Sequence, residues 1–284
     1  MRLKIAIQKS GRLYEESVKL LKECGIDFNN SMNKLRTEAT NFPLEILFLR
    51  DDDIPQYVAD KVAAIGIVGE NVIAEKKQKV KIMEQLGFGK CRLSIAVPKD
   101  KKYEGLKSLN GKRIATSYSH VLTTFLKKNK IKAEIHDISG SVEIAPGIGL
   151  AEAICDLVSS GSTLFSNGLK EVETVMKSEA ALIANPGLNR QEREIVDKLI
   201  FRMRAAKKAR KNKYILLNAP RKNLNKIISL IPGMKSPTVL PLAEKNWCSV
   251  HSVIHEDEFW EVIEKLKEYG AQGILVVPIE KMVI

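Results

Sequence analysis

Residues 153–163 read Ala153-Ile154-Cys155-Asp156-Leu157-Val158-Ser159-Ser160-Gly161-Ser162-Thr163. An apolar run carries one carboxylate, Asp156, to the mouth of a turn made of hydroxyl residues and one glycine. Such a turn can aim several backbone N–H groups and hydroxyls at one anion, and Gly161 permits the dihedral angles that this close approach needs. A carboxylate beside an anion cradle suits a sugar phosphate, since the cradle takes the phosphate and the carboxylate takes the hydroxyls or a metal ion. A second carboxylate, Glu143, lies upstream.

The N-terminal residues have the order strand, turn, helix. Apolar residues alternate from Leu3 to Ile7, as in a half-buried strand, and then recur at helical spacing until Gly25. The turn between them is Lys9-Ser10-Gly11-Arg12, with Ser10 as the expected N-cap of the helix. Two full positive charges beside the positive end of a helix predict a second anion site. A capped helix with solvated basic residues explains the same pattern.

Strands and helices alternate along most of the chain. Further apolar runs end at a turn that starts with Arg50 and at the turn 66–69. This alternation predicts α/β lobes with parallel sheets and crossover connections. Because sites in such folds gather at the carboxyl ends of strands, we expect these turns, the Lys9 turn and the Ser159–Thr163 turn to face one cleft.

The pattern changes near Asn189. Asn189 followed by Glu192 predicts a capping box, and a long basic helix is expected from Arg190 to about residue 210. Beyond it the order strand, helix, strand, strand, helix, strand is the ferredoxin-like signature. We therefore expect a separate C-terminal domain at residues 213–284.

Composition limits the class of protein. The chain has 284 residues and a net charge of +12, with no apolar run of membrane-spanning length and no signal-peptide pattern. A cytoplasmic protein without a membrane partner is expected. The lysine clusters are scattered and carry few aromatic residues, which favours solvated faces or a positive field for polyphosphates over a nucleic-acid partner. The four cysteines are far apart, so buried, reduced thiols are expected.

Together these residues resemble one family, the long form of ATP phosphoribosyltransferase, the first enzyme of histidine biosynthesis. The stretch from Glu143 to Leu164 is similar to the family signature at every position that the signature fixes. The similarity extends to motifs along the whole chain. These motifs are Gln8–Arg12, Arg50–Pro55, Gly69–Val72, Lys112–Tyr118, Ser166–Leu169 and Ser236–Leu242.

The resemblance implies a fold and an activity. The fold is a two-lobed core like a type II periplasmic-binding protein, with lobe I at 1–90 and 176–212 and lobe II at 91–175, and an ACT-like regulatory domain at 213–284 that binds histidine. The activity is the Mg²⁺-dependent transfer of the phosphoribosyl group of 5-phosphoribosyl pyrophosphate (PRPP) to N1 of ATP, with release of pyrophosphate and feedback inhibition by histidine. A homo-oligomer, from dimer to hexamer, is also implied. The alternative is a non-catalytic two-lobed protein that binds a small ligand, which fold alone does not exclude.

The resemblance also implies site residues. The catalytic set is Lys9, Arg12, Arg50, Glu143 and Asp156. The loop for the 5′-phosphate of PRPP is Ser159, Ser160, Gly161, Ser162 and Thr163. ATP or pyrophosphate is assigned to Ser10, Gly11, Arg36 and Gly69, and regulatory histidine to Asn218, Ser236, Thr238 and Gly273. Mg²⁺ is expected to bind mainly through PRPP, with Glu143 or Asp156 as protein ligand.

Several of these residues have a simpler interpretation. Asp156 is also explained as a helix or turn cap, and Glu143 as a surface carboxylate near a turn. The run Asp51–Asp53 suits a metal ion, but it also suits a cap for the helix that Ile54-Pro55 would begin, and Arg50 suits an ion pair with that run. The stretch Ser236–Thr238 is also typical of a turn that enters a strand.

Overall fold

The computed structural model describes residues 2–29 and 34–283. The chain divides into two compact units, Met1–Lys19 with Ile26–Val196, and Leu20–Gly25 with Asp197–Ile284. The first unit contains two sheets, each the centre of one lobe, and the second contains a third sheet. Among the described residues, no helix is both long enough and apolar enough to cross a membrane.

Lobe I is built on a six-stranded sheet in the order β2-β3-β1-β4-β11-β5. Its strands are β1 (Leu3–Gln8), β2 (Arg36–Glu38), β3 (Leu44–Leu49), β4 (Ile65–Gly69), β5 (Lys81–Gln85) and β11 (Ala180–Ala184). The helices that begin here are α1 (Arg12–Glu23), α2 (Ile54–Ala59) and α3 (Glu70–Lys76). The central strands β1, β3 and β4 are parallel and almost wholly apolar, as a sheet covered on both faces requires.

Lobe II is inserted between β5 and β11 and has a five-stranded sheet in the order β10-β6-β9-β7-β8. Its strands are β6 (Cys91–Pro98), β7 (Arg113–Thr116), β8 (Glu134–Asp137), β9 (Ala153–Val158) and β10 (Leu169–Ser178), and its helices are α4 (Ser119–Lys128) and α5 (Ser162–Ser166). Strands β7, β8 and β9 are parallel. The Asp156 turn therefore lies at their shared carboxyl edge, as the sequence predicted.

The parallel sheets that the sequence predicted are present only in part, since each sheet also contains antiparallel pairs. Strands β6 and β10 run antiparallel to their neighbours in lobe II, and β11 runs antiparallel to β4 and β5 in lobe I. The reason is the insertion: the chain enters lobe II through β6, leaves it through β10 beside β6, and returns to lobe I as β11.

The helix α6 (Arg190–Arg210) begins at the predicted capping box. The Asn189 N–H donates to Glu192 Oε2 and the Glu192 N–H donates to Asn189 Oδ1, each at 2.9 Å. These reciprocal bonds satisfy two of the N–H groups that the start of a helix leaves without a partner.

The third sheet confirms the predicted ferredoxin-like order. Its strands are β12 (Asn212–Pro220), β13 (Thr238–Pro241), β14 (Trp247–His255) and β15 (Gln272–Pro278), in the order β13-β14-β12-β15, with helices α7 (Leu224–Leu230) and α8 (Glu256–Glu268). One face buries Ile215, Leu217 and Val250 among apolar residues of the two helices. The other face, which includes Leu240 and Leu275, is open to solvent.

Candidate functional site

The carboxyl edge of lobe I brings three of the predicted turns together. The strands β3, β1 and β4 are neighbours; Arg50 and Lys9 directly follow β3 and β1, and Gly69 is the last residue of β4. The Lys9 N–H donates to Leu49 O at 2.8 Å, which ties the first two turns. Within the described chain neither Lys9 nor Arg50 forms an ion pair, and both are exposed, so their charges are available to a ligand. The suggested pairing of Arg50 with the Asp51–Asp53 run is not observed.

The start of α1 differs from the prediction. The helix begins at Arg12, and the residue before it is Gly11, whose carbonyl accepts the Glu15 N–H at 3.1 Å. Ser10 therefore lies one position too early to be the N-cap. Gly11 has φ +87°, a conformation that favours glycine and lets the chain turn sharply from β1 into the helix.

The carboxyl edge of lobe II carries two neighbouring carboxylates. Asp156 is half-buried near the end of β9, and its Oδ1 accepts the Leu157 N–H at 2.8 Å. Glu143 is half-buried in a short 3₁₀ turn, Val142–Ile144. Burial raises the pKa of Asp156 above its usual value, and the negative charge of Glu143 raises it further. This edge is therefore suited to a cation or to hydroxyl donors.

The loop after Asp156 has the geometry of an open cradle. Gly161 has φ +83° and precedes α5. The Ser160 and Ser162 hydroxyls are hydrogen-bonded at 3.0 Å, and the Ser162 N–H reaches Ser160 Oγ at 3.4 Å. Ser159, Ser160 and Thr163 are exposed, so their hydroxyls can meet a ligand from solvent.

The two edges meet at Arg12 and Ser159. Arg12 Nη1 donates to Ser159 Oγ at 3.3 Å across 147 positions of sequence. One of the predicted cations of lobe I is thus in contact with the predicted anion loop of lobe II.

A second set of contacts, made by Asn71, joins lobe I to lobe II. Asn71 Nδ2, in α3, donates to the Tyr118 hydroxyl at 3.0 Å, and Ser178 Oγ donates to Asn71 Oδ1 at 2.8 Å. Burial raises the pKa of Tyr118, and the charges of Asp156 and Asp51 raise it further, so this tyrosine lies near carboxylates of both lobes. It stays protonated, because a phenolate there would be both desolvated and repelled.

The carboxylate of Glu75, also in α3, caps a helix of the opposite lobe. It accepts the His120 and Val121 N–H groups, both at 2.9 Å, at the start of α4. A carboxylate at a helix N-terminus satisfies free N–H groups and faces the positive end of the helix.

Two further predictions for lobe I concern the Asp51–Asp53 run and Arg36. The run Asp51–Asp53 forms a 3₁₀ turn before α2 with no side-chain cap, so the capping interpretation is wrong, and Asp52 lies 3.6 Å from Lys76 Nζ. Arg36 lies on the edge strand β2 with its side chain 79% exposed, 3.8 Å from Glu45. The described residues contain no group of three or more metal-ligating side chains.

The four residues assigned to histidine lie in or beside the third sheet. Asn218 pairs with Ser249 in β14, and Thr238 pairs with His251 on the same open face. Gly273 approaches Asn218 closely, since a Cβ there would lie 3.4 Å from Asn218 Nδ2. Ser236 is exposed just before β13.

Sequence reasoning missed the residues that support the site. Tyr118 and Asn71 belong to quoted motifs, but no local pattern signals that they meet. Arg92, which contacts the loop at Ser159 O, stands in a strand pattern that signals only burial.

The chain is similar to known proteins of one family over almost its whole length. The family model for ATP phosphoribosyltransferase (HisG) matches residues 50–205, and the model for the HisG C-terminal domain matches residues 209–281. The ATP phosphoribosyltransferase of Cytophaga hutchinsonii is 63% identical over 281 residues, which cover 99% of this chain and 98% of that protein. The chain belongs to the ATP phosphoribosyltransferase family.

Other relatives agree. The ATP phosphoribosyltransferase of Bacteroides fragilis is 58% identical over 99% of this chain and 100% of its own. The solved ATP phosphoribosyl transferase (HisG:HisZ) complex of Thermotoga maritima has a TM-score of 0.61 at 29% identity, over 71% of this chain and 98% of that chain. A periplasmic sulfonate-binding protein from Methylobacillus flagellatus, with a TM-score of 0.50 at 16% identity over 72% of this chain and 67% of its own, shares the fold alone.

These similarities confirm the fold class, a two-lobed core like a periplasmic-binding protein with a ferredoxin-like C-terminal domain. The protein is an enzyme, an ATP phosphoribosyltransferase of histidine biosynthesis. The alternative of a non-catalytic ligand-binding protein is therefore wrong.

Proposed function

We propose that the enzyme transfers the phosphoribosyl group of PRPP to N1 of ATP and releases pyrophosphate. The observation that carries this proposal is the contact between Arg12 and Ser159, which sets the cationic turns of lobe I against the glycine loop of lobe II. Cations on one side, with a cradle and two carboxylates on the other, suit a sugar that carries a phosphate at one end and pyrophosphate at the other.

Each group of residues has one part in binding. The loop Ser159–Thr163 holds the 5′-phosphate through N–H groups and hydroxyls. Asp156 and Glu143 accept hydrogen bonds from the ribose hydroxyls. Lys9, Arg12 and Arg50 face the pyrophosphate or the phosphates of ATP. Their position at the ends of neighbouring strands supports this assignment. The assignment of ATP or pyrophosphate also to Ser10, Gly11, Gly69 and Arg36 is part of the same proposal.

The reaction asks little covalent chemistry of the protein. The bond from ribose C1 to the pyrophosphate oxygen breaks, that oxygen keeps the electron pair, and ATP N1 donates its own pair to C1. Positive charge develops on the ribose, which a nearby carboxylate stabilises, and negative charge grows on pyrophosphate, which the cations of lobe I stabilise. Holding both substrates in one cleft supplies much of the remaining rate.

The residues fit a magnesium ion that arrives with the substrate. Glu143 and Asp156 are close enough for one charge to raise the pKa of the other, and Mg²⁺ in such enzymes is held by one or two carboxylates together with substrate phosphates. When bound, the ion would neutralise charge on the departing pyrophosphate.

We further propose that histidine binds to the open face of the third sheet. The assigned residues Asn218 and Thr238 lie beside Ser249 and His251, whose hydroxyl and ring nitrogen are hydrogen-bonded at 2.9 Å. This polar patch interrupts an otherwise apolar face, which suits an amino acid with a polar side chain.

The same face supports a homo-oligomer. Leu275 and Val277, two positions apart on β15, are 56% and 43% exposed, and Leu240 on the opposite edge strand is 48% exposed. A large exposed apolar patch often marks an interface. We propose that a second copy of this chain covers this face in a homo-oligomer, from dimer to hexamer. Both substrates are intracellular metabolites, so the proposed location is the cytoplasm.

The first prediction concerns the assay that tests the activity. Pyrophosphate release is expected with PRPP, ATP and Mg²⁺ together, and not when any one of the three is omitted. Histidine is expected to lower the rate. Release that ignores histidine would remove the regulatory proposal alone, whereas no release under any of these conditions would remove the reaction itself.

The second prediction concerns the pH dependence of PRPP use. Asp156 accepts more strongly from ribose hydroxyls when it is ionised. Burial is the main cause that raises the pKa of Asp156, and the charge of Glu143 raises this pKa further. Glu143→Gln removes that charge and lowers the pKa of Asp156. The acid limb of kcat/KM for PRPP, measured at fixed Mg²⁺, should then move to lower pH.

The matched control is Glu104→Gln, which removes an exposed carboxylate paired with Lys102 elsewhere in lobe II. Glu104→Gln should leave the acid limb of kcat/KM for PRPP at its wild-type pH. If the acid limb of kcat/KM keeps its wild-type position in Glu143→Gln, or moves to higher pH, the coupling of the two carboxylates would be contradicted.

A further inference from the structure

We propose that Arg92 is a positioning residue that shapes the anion loop by holding the carbonyl group of Ser159. The inference rests on the proposed function, since it takes this loop as the site of the PRPP 5′-phosphate. Arg92 lies near the start of β6, and its backbone pairs with Val158 at the end of β9, directly before the loop. Its Nη1 donates to Ser159 O at 3.3 Å.

The guanidinium of Arg92 is itself fixed by a second strand. Its Nε and Nη2 donate to the two carboxylate oxygens of Glu171, in β10, each at 2.5 Å. Ser94 Oγ, which is buried, donates to the same carboxylate at 2.7 Å. Two parallel bonds of this kind leave the planar guanidinium a single orientation. The remaining nitrogen is therefore held toward Ser159.

The direction of this carbonyl decides what the loop presents to an anion. In a trans peptide the C=O and the following N–H point in opposite directions. When Arg92 draws Ser159 O to one side, the Ser160 N–H must face the other side. Among the residues that the structure describes, the N–H groups of Ser160 and Gly161 have no acceptor. A Ser159 carbonyl turned the other way would place a partial negative charge against the phosphate.

Arg92 differs from Arg12 in its charge balance. Glu171 neutralises the charge of Arg92, and the guanidinium in turn lowers the pKa of Glu171, so the pair stays ionised. Arg12 has no such partner among the described residues and reaches the hydroxyl of Ser159. Arg92 thus acts through the loop backbone, and its effect should fall on phosphate binding more than on turnover.

The test is the variant Arg92→Lys. A lysine keeps the ion pair with Glu171 and so keeps the fold, but it cannot hold Glu171 with two bonds and also reach Ser159. We expect KM for PRPP and the inhibition constant of ribose 5-phosphate to rise about tenfold, which corresponds to one lost hydrogen bond to a charged donor. KM for ATP and kcat should change less than about twofold.

The matched control is Arg113→Lys. Arg113 and Glu152 form the other two-bond pair of lobe II, with Nη2 and Oε1 2.5 Å apart, at the opposite edge of the sheet. Their side chains are 38% and 40% exposed, against 35% and 25% for Arg92 and Glu171. This variant should leave both constants at their wild-type values.

Each outcome decides one question. Wild-type affinity for ribose 5-phosphate in Arg92→Lys, or an equal rise in both variants, would overturn the role of Arg92. If Arg92→Lys does not fold, Glu171→Gln decides instead: it weakens the orienting bonds and should raise KM for PRPP with kcat kept, and an unchanged KM would overturn the inference. A wild-type enzyme that neither uses PRPP nor binds ribose 5-phosphate would remove the proposed function instead.

Discussion

Asp156→Asn is expected to lower kcat/KM for PRPP by about 100-fold, as removal of one preorganised electrostatic contact typically does. Asparagine keeps the size of the side chain and an oxygen for the Leu157 N–H, so the loss reports the missing charge. Steady-state kinetics with each substrate varied in turn would measure it. The effect should be much smaller in Asp100→Asn, which removes an exposed carboxylate beside Lys101.

The same substitution should stabilise the folded protein at neutral pH. Burial and Glu143 raise the pKa of Asp156, so its ionised form disfavours the folded state above that pKa. Asparagine relieves this cost. The gain in Tm should be full at neutral pH and shrink as the pH falls from the raised pKa of folded Asp156 toward the ordinary pKa of an aspartate, because the folded protein is protonated there first and loses the costly charge.

Thermal melts of both proteins from neutral to acid pH would check the sign. A variant with near-normal turnover would exclude a direct role for Asp156 in the reaction. A variant that is inactive and also less stable at neutral pH would instead indicate that the carboxylate supports the fold.

Gly161→Ala is expected to raise KM for PRPP by about tenfold or more. Gly161 has φ +83°, and an alanine in this region costs about 1–2 kcal/mol. Space is not the obstacle, because the nearest atom to an added Cβ is Val158 Cγ1 at 3.9 Å. The chain can relieve the strain only by turning the peptides of the loop, which moves their N–H groups away from the phosphate.

The control for Gly161→Ala is Gly111→Ala. Gly111 has φ +71° with no atom within 4 Å of an added Cβ, and it precedes β7 at the other edge of lobe II. Both variants should lose a similar amount of stability in denaturant titrations. Only Gly161→Ala should lose affinity for PRPP. An equal change of KM in both variants would mean that backbone strain anywhere in lobe II, and not the geometry of the loop, changes the affinity.

Local sequence signals predicted the parts of the fold that depend on neighbouring residues. The capping box of Asn189 and Glu192 needs only a spacing of three, and its two bonds are both present. The ferredoxin-like order of the third sheet was also readable, because each element there has its own clear periodicity.

Features that depend on distant pairing were not readable. The sequence did not indicate β10 or β11, whose directions depend on pairing with distant strands: Leu169 of β10 pairs with Pro98 of β6, and Ala180 of β11 pairs with Gly69 of β4. The residues of the candidate site show the same difference between local and distant signals. Asp156 and Gly161 were found from one short stretch, whereas the contact of Arg92 with Ser159 spans 67 positions.

The insertion of lobe II also bears on the order in which the two lobes can fold during synthesis. Strand β11 lies between β4 and β5, so in the described sheet β5 has no neighbour until residues 180–184 exist. All five strands of lobe II lie within residues 91–178 and need nothing that follows them. A chain emerging from the ribosome can therefore close its second lobe while the sheet of the first is still one strand short, and residues 180–184, made after lobe II, then complete the sheet that the first residues of the chain began.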